Sequence, residues 1–258
     1  MLQNKIATCL LGTVLLLGHA SWAQAELFSP FVFEGKRGDS LGCRLLIPDA
    51  NTMRKLPLVI FLHGSGERGS DNKAQLKWGV QSFATTQQMK LNPAIVVAPQ
   101  CPAGQSWSNE DETGDKITIR KEPSAAGALV MELIDSLIKR LPVDTNRIYI
   151  TGLSMGGFGT FDLVARYPHR FAAALPVCGA GDPATAPAMA KVPMWIVTGA
   201  EDPAVSPEMT HRMFVALRAA GARPGYTEYP EVGHFSWIHA YSDELILQWL
   251  FRQRKTTR

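Results

Sequence analysis

Gly152-Leu153-Ser154-Met155-Gly156, followed by Gly157, sets a single hydroxyl among glycines. The apolar run Arg147 to Thr151 precedes it and a helical pattern follows, so Ser154 is expected at a strand-to-helix turn. A serine held in such a turn is a nucleophile. The turn strains the backbone, side chains two positions to either side would clash, and the helix start aims N–H groups at developing negative charge. Chance or a purely structural turn can produce the same pentapeptide; the strand before and the helix after favour catalysis.

A serine nucleophile needs an oxyanion site, a base and an acid. Leu62-His63-Gly64-Ser65-Gly66-Glu67-Arg68-Gly69 comes directly after the apolar run LPLVIFL. A loop of this kind brings its backbone close to a substrate, and the N–H groups of Ser65 and Met155 are assigned as the two oxyanion donors. The phosphate-binding pattern G-x-x-x-x-G-K-[ST] is absent. His63 is read as a brace for the loop, with a role as base the competing reading. After Ser154, the run VPMWIVT leads into Gly199-Ala200-Glu201-Asp202-Pro203. Asp202 is the expected acid, Glu201 the neighbouring alternative, and a helix cap the structural one. Asp182 follows a strand one unit too early. His234, in Glu231-Val232-Gly233-His234-Phe235, is the expected base, because it completes the chain order serine, acid, histidine. His239 is its rival; His169 and His211 fall at the wrong stage.

These residues need elements to position them. Leu56–Leu62, Ala94–Ala98, Arg147–Thr151, Phe171–Val177 and Val192–Thr198 are near-continuous apolar runs, as expected for strands covered on both faces. Leu27–Phe33 and Leu41–Ile47 are expected to form an antiparallel pair, and Tyr226–Tyr229 a last short strand. Helical patterns cover Ser124–Leu141, Ser154–Tyr167, Pro207–Ala220 and Ile238–Phe251. The alternation predicts an α/β fold: a mostly parallel sheet with helices on both faces and chemistry at the carboxyl ends of its strands.

The 258-residue chain is 46% hydrophobic, and its 26 Lys and Arg against 23 Asp and Glu leave a balance of +3. The basic residues form no stripe, which argues against a nucleic-acid partner. Residues 1–25 read as a signal peptide: Lys5, an apolar run from Ile6 to Leu17, then the cleavage box Ala23-Gln24-Ala25. The run is shorter than the roughly 20 apolar residues of a bilayer span, so a retained anchor is the lesser reading. Residues 26–258 are then expected to be one domain, periplasmic or secreted. Cys43, Cys101 and Cys178 remain after cleavage, enough for one disulfide at most and without zinc-ligand spacing.

Taken together, PLVIFLHGSGERGSDN, VVAPQCP with Trp107, VDTNRIYITGLSMGGFGTF, VTGAEDPAVS and GHFSW resemble the exported esterase and predicted-peptidase branch of the α/β-hydrolases. Phospholipase/carboxylesterase-like, polyhydroxybutyrate-depolymerase-like and feruloyl-esterase-like enzymes are its neighbours. The resemblance spans roughly residues 40–251. It implies a Ser154–His234–Asp202 triad, an oxyanion hole at Ser65 and Met155, and Gln100 and Trp107 in a loop lining the cleft. It further implies cleavage of carboxylic esters through an acyl-enzyme, with no metal or organic cofactor. Many relatives insert a helical cap before the acid-bearing strand; the stretch Cys178–Lys191 is too short for one, so an open cleft for small or polymer-attached esters is expected. A peptidase with the same triad and a non-catalytic binding protein are the alternative readings.

Overall fold

The structure, a computed structural model, describes residues 24–48 and 54–255; residues 1–23, most of the expected signal peptide, lie outside it. In chain order its regular elements are β1 (Ser29–Glu34), β2 (Ser40–Leu46), β3 (Leu56–Leu62), α1 (Thr86–Leu91), β4 (Ile95–Pro99), β5 (Glu110–Thr113), β6 (Lys116–Ile119) and α2 (Ala125–Arg140). There follow β7 (Val143–Leu153), α3 (Met155–Arg166), β8 (Ala173–Val177), α4 (Ala186–Met189), β9 (Trp195–Gly199), α5 (Pro207–Ala219), β10 (Gly225–Tyr229), α6 (Trp237–Ser242) and α7 (Glu244–Arg252).

Eight strands form one sheet in the order β1-β2-β4-β3-β7-β8-β9-β10. β1 and β2 pair antiparallel, as does β2 with β4, and every later pair is parallel. Every residue of β3 and β4 is buried, because helices cover both faces. Alternation along β3 divides the core. Leu58, Ile60 and Leu62 join the side covered by α2, α3 and α5, while Val59 and Phe61 join the side covered by α6 and α7. Among the described residues no helix is long and apolar enough to cross a membrane.

The topology also fixes where chemistry can occur. From β3 the chain steps outward to β4, and it later returns to place β7 on the other flank of β3. The order reverses at β3 and β7, so their carboxyl ends open a crevice between diverging connections. The loop after β3 carries His63–Gly69, and the turn after β7 carries Ser154.

One local expectation is corrected, and two further features are added. The pattern Ile238–Phe251 is two helices, because the Asp243 carboxylate accepts from the N–H groups of Leu245 at 2.8 Å and Ile246 at 3.3 Å, capping a new helix instead of continuing the old one. Glu110–Ile119, for which the sequence offered no reading, is an antiparallel hairpin closed by Gly114-Asp115, with Gly114 at φ +58°. A Gly-Asp pair between short strands is a hairpin turn signal in its own right. Ile117 of β6 packs with Ala180, Val205, Met209 and Phe158, so the hairpin rests beside the carboxyl ends of the strands. Cys43, Cys101 and Cys178, whose pairing the sequence left open, are all buried free thiols.

Candidate active site

Ser154 occupies the junction between β7 and α3 with φ +53° and ψ −119°, a backbone conformation that a side chain adopts only under strain. Its own N–H donates to the Val177 carbonyl of β8 at 3.0 Å, and its carbonyl accepts from Gly157 at 2.7 Å and Phe158 at 3.1 Å to start the helix. The flanking glycines are steric necessities. A Cβ on Gly156 would collide with the Leu62 carbonyl oxygen of β3, and one on Gly152 would sit 2.5 Å from the Gly156 carbonyl oxygen. The nucleophile turn is thus wedged against the strand that feeds the oxyanion loop.

His234 Nε2 lies 2.9 Å from Ser154 Oγ. Its Nδ1 lies 2.8 Å from Asp202 Oδ2 and 3.0 Å from Oδ1. With the carboxylate as acceptor, Nδ1 carries the hydrogen and Nε2 is left as an acceptor facing the Ser154 hydroxyl. Asp202 Oδ1 also accepts from the N–H groups of Ala204 and Val205, each at 2.9 Å. Burial works to raise the Asp202 carboxyl, but the imidazole and these two N–H donors outweigh it and hold the group below its ordinary range. The two loops are stitched together, since Ala200 N–H donates to Tyr229 O and Glu201 N–H to Val232 O, both at 3.0 Å. Glu201 itself is exposed.

The other sequence candidates fall elsewhere. His239 is exposed and stacks on Tyr229, and His211 packs against Phe214 and Tyr226. Asp182 accepts from Ala184 N–H at 2.9 Å and from Ile119 N–H at 3.2 Å, tying down the hairpin. His63 is buried under the oxyanion loop. Its Nε2 accepts from Cys101 N–H at 2.9 Å, which places the hydrogen on Nδ1, 2.6 Å from the Gly64 carbonyl. Desolvation lowers the imidazole to about 4, and that neutral state fits a nitrogen already committed as an acceptor.

Ser65 opens a short 3₁₀ turn and is exposed, while Met155 is the first residue of α3. Neither N–H donates to a protein acceptor among the described residues, so both are free for a ligand beside Ser154. Gln100 and Trp107, expected to line the cleft, do not. Gln100 is 1% exposed and Trp107 fully buried. Gln100 Nε2 donates to Glu67 O at 3.1 Å and to Asp71 Oδ1 at 2.8 Å, and its Oε1 accepts from Asn72 N–H at 2.7 Å. The Trp107 indole N–H donates to His63 O at 3.0 Å. Both side chains spend their polar atoms fixing the oxyanion loop. Asn72, at φ +50°, does the same by donating to Phe31 O and Cys43 O, each at 3.2 Å. Sequence reading passed over Asn72, although Ser70-Asp71-Asn72 carries the side chains that stabilise turns.

Cys178 Sγ lies within 4.8 Å of ligating atoms of both Asp202 and His234. Burial pushes this thiol up to about 12, which keeps it neutral beside the carboxylate.

The chain resembles the crystal structure of a thermostable esterase at 36% identity and a TM-score of 0.83, over 90% of this chain and 64% of that one. A bifunctional acetylxylan esterase/xylanase of Neocallimastix patriciarum is 27% identical over 153 residues, 59% of this chain and 20% of the relative. Poly(3-hydroxyalkanoate) depolymerase C of Paucimonas lemoignei is 32% identical over 126 residues, 48% of this chain and 28% of the relative. The chain therefore spans less than a third of either of these two relatives. The phospholipase/carboxylesterase family model matches residues 49–243, well over half of the chain. Fold and family match point the same way: the chain belongs to the phospholipase/carboxylesterase family and has the α/β-hydrolase fold.

Proposed function

We propose that this chain is an exported serine esterase acting on carboxylic esters through a Ser154–His234–Asp202 triad. The observation that carries the reading is the unbroken relay from Ser154 Oγ to His234 Nε2 at 2.9 Å and from His234 Nδ1 to Asp202 at 2.8 Å. Ser154 Oγ attacks the ester carbonyl carbon as His234 Nε2 takes its proton. The carbonyl oxygen becomes an oxyanion held by the N–H groups of Ser65 and Met155. The C–O bond to the alcohol breaks, and the leaving oxygen takes the proton from His234. Water, deprotonated by the same imidazole, attacks the acyl-enzyme and releases the acid. Asp202 keeps the tautomer and stabilises the imidazolium without accepting the proton.

The exposed Ser65 and Gly66 and the short β8–β9 connection, whose longest helix is α4, leave the nucleophile approachable. An ester carried on a bulky or polymeric molecule fits such an opening. Export rests on the sequence of residues 1–25. Phe28, the first deeply buried side chain among the described residues, lies beyond the Ala25 cleavage point.

A fluorophosphonate probe and a short-chain p-nitrophenyl ester test the nucleophile. Wild type is expected to be labelled and to turn over the ester, and Ser154→Ala to do neither. Near-full turnover by the alanine variant would refute the assignment. Mass measurement of protein recovered outside the cytoplasm tests export, with an N-terminus at Glu26 expected.

A further inference from the structure

We propose that Phe235, with Trp78 behind it, forms an aromatic step that stacks a sugar ring in the alcohol half of the ester. This deepens the serine-esterase reading and rests on it. Phe235 directly follows His234 and is 54% exposed, although most large apolar side chains of the chain are buried. It belongs to a cluster of rings. Its centroid is 4.7 Å from Trp237 and 5.9 Å from Trp78, and Trp237 lies edge-on to His234 at 5.3 Å. Ile238, three residues on, is 52% exposed as well. Scattered exposed apolar residues need no explanation, but a contiguous aromatic group against the catalytic base does.

Direction follows from the mechanism. His234 Nε2 must deliver its proton to the departing oxygen, so the alcohol leaves on the imidazole side. The acyl carbonyl oxygen points the other way, toward Ser65 and Met155. A group attached to the alcohol oxygen therefore leaves on the His234 side, where Phe235 is the next residue and packs with the Trp237 ring that lies against the imidazole.

The surface itself favours a rigid ring. A flexible alkyl chain laid on an open step would lose rotamer freedom while leaving much of its own surface wet. A pyranose loses little internal freedom, sets one C–H face on the aromatic ring, and keeps its hydroxyls at the rim. Lys77, whose Nζ sits 5.2 Å from the Trp78 ring centroid, places three N–H donors at that rim.

The test uses three acetate esters, so that the acyl group and the Ser154 chemistry stay constant: an acetylated methyl xyloside, phenyl acetate and ethyl acetate. Phe235→Ala is expected to lower kcat/KM for the sugar ester relative to ethyl acetate by roughly 3- to 10-fold, mainly through KM. Phe235→Trp is expected to restore the ratio, and Trp78→Ala to shift it in the same direction as Phe235→Ala. Fluorophosphonate labelling of each variant verifies an intact nucleophile. An equal fall on all three esters, no change in the ratio, or a change confined to phenyl acetate would overturn the proposal. Wild type that resists the fluorophosphonate would instead sink the serine-esterase reading beneath it.

Discussion

Asp202 and His63 show how two ionisable groups a few residues from one reaction centre are held in opposite ways. Asp202 is buried yet kept ionised, because the His234 imidazole and the N–H groups of Val205 and Ala204 converge on it. Asp202→Asn removes the charge that selects the His234 tautomer and stabilises its protonated form. Turnover of a p-nitrophenyl ester is expected to fall roughly ten-thousand-fold in kcat with binding little changed, measured by steady-state kinetics. His63 is buried and kept neutral, lowered from the ordinary 6.5 to about 4. As pH falls below 6.5 the unfolded chain takes up a proton at this imidazole while the folded chain does not. The stability contributed by a neutral His63 is therefore present above 6.5 and lost as pH falls toward 4, by about 3 kcal/mol in all. Urea unfolding between pH 7 and pH 4 tests this: the wild-type loss is expected to exceed that of His63→Gln, and parallel curves would refute it.

The elements that converge on Ser154 are β3, β7 and α3, and their contact tolerates no added carbon. Gly156→Ala places a methyl group against the Leu62 carbonyl oxygen, where the neighbour is backbone and cannot rotate away. The expected result is destabilisation of about 3 kcal/mol or more, with loss of fluorophosphonate labelling as the turn opens. Thermal melts and labelling rates measure the two effects separately. Much of this was legible in sequence, since glycines flanking a serine between an apolar run and a helical pattern announce a tight turn. What they touch was not. Leu62 lies far from Gly156 along the chain, and only the parallel pairing of β3 with β7 brings the two together. Gln100 and Trp107 mark the same boundary. Their loop was placed near the site, but which way each side chain turns depended on acceptors contributed by the oxyanion loop.

Across the whole molecule, the β5–β6 hairpin is tethered at several points, by Asp182 at Ile119, by Arg212 at Asp115 and by Arg166 just past β6. Arg166 Nε pairs with the Asp162 carboxylate at 2.9 Å, and its other nitrogens donate to Arg120 O at 2.7 Å and Lys121 O at 2.8 Å, just past β6. Asp162 is almost wholly enclosed, and burial pushes its carboxyl up even with Arg166 beside it. Arg166→Ala leaves that carboxylate buried without a partner and removes one of the hairpin's tethers. A loss of about 3–5 kcal/mol is expected on denaturant unfolding, with faster amide exchange in residues 110–121. Double replacement with Asp162→Asn is expected to recover part of the stability, which a role limited to surface charge would not predict.

Hydrophobic period, turn residues and chain order are local properties, and they were enough to determine the α/β alternation and the strand-to-helix turn at Ser154, and to offer Asp202 and His234 as its candidate partners. Those features depend on neighbours within a few residues, and the sequence states its neighbours outright. Tertiary structure alone decided which polar side chains face a ligand and which are consumed as braces. It also decided that Cys178 sits beside the acid–base pair and that Phe235, Trp78 and Trp237 meet as one surface. Each of these depends on groups tens of residues apart being packed to ångström tolerance, and no local pattern encodes that distance.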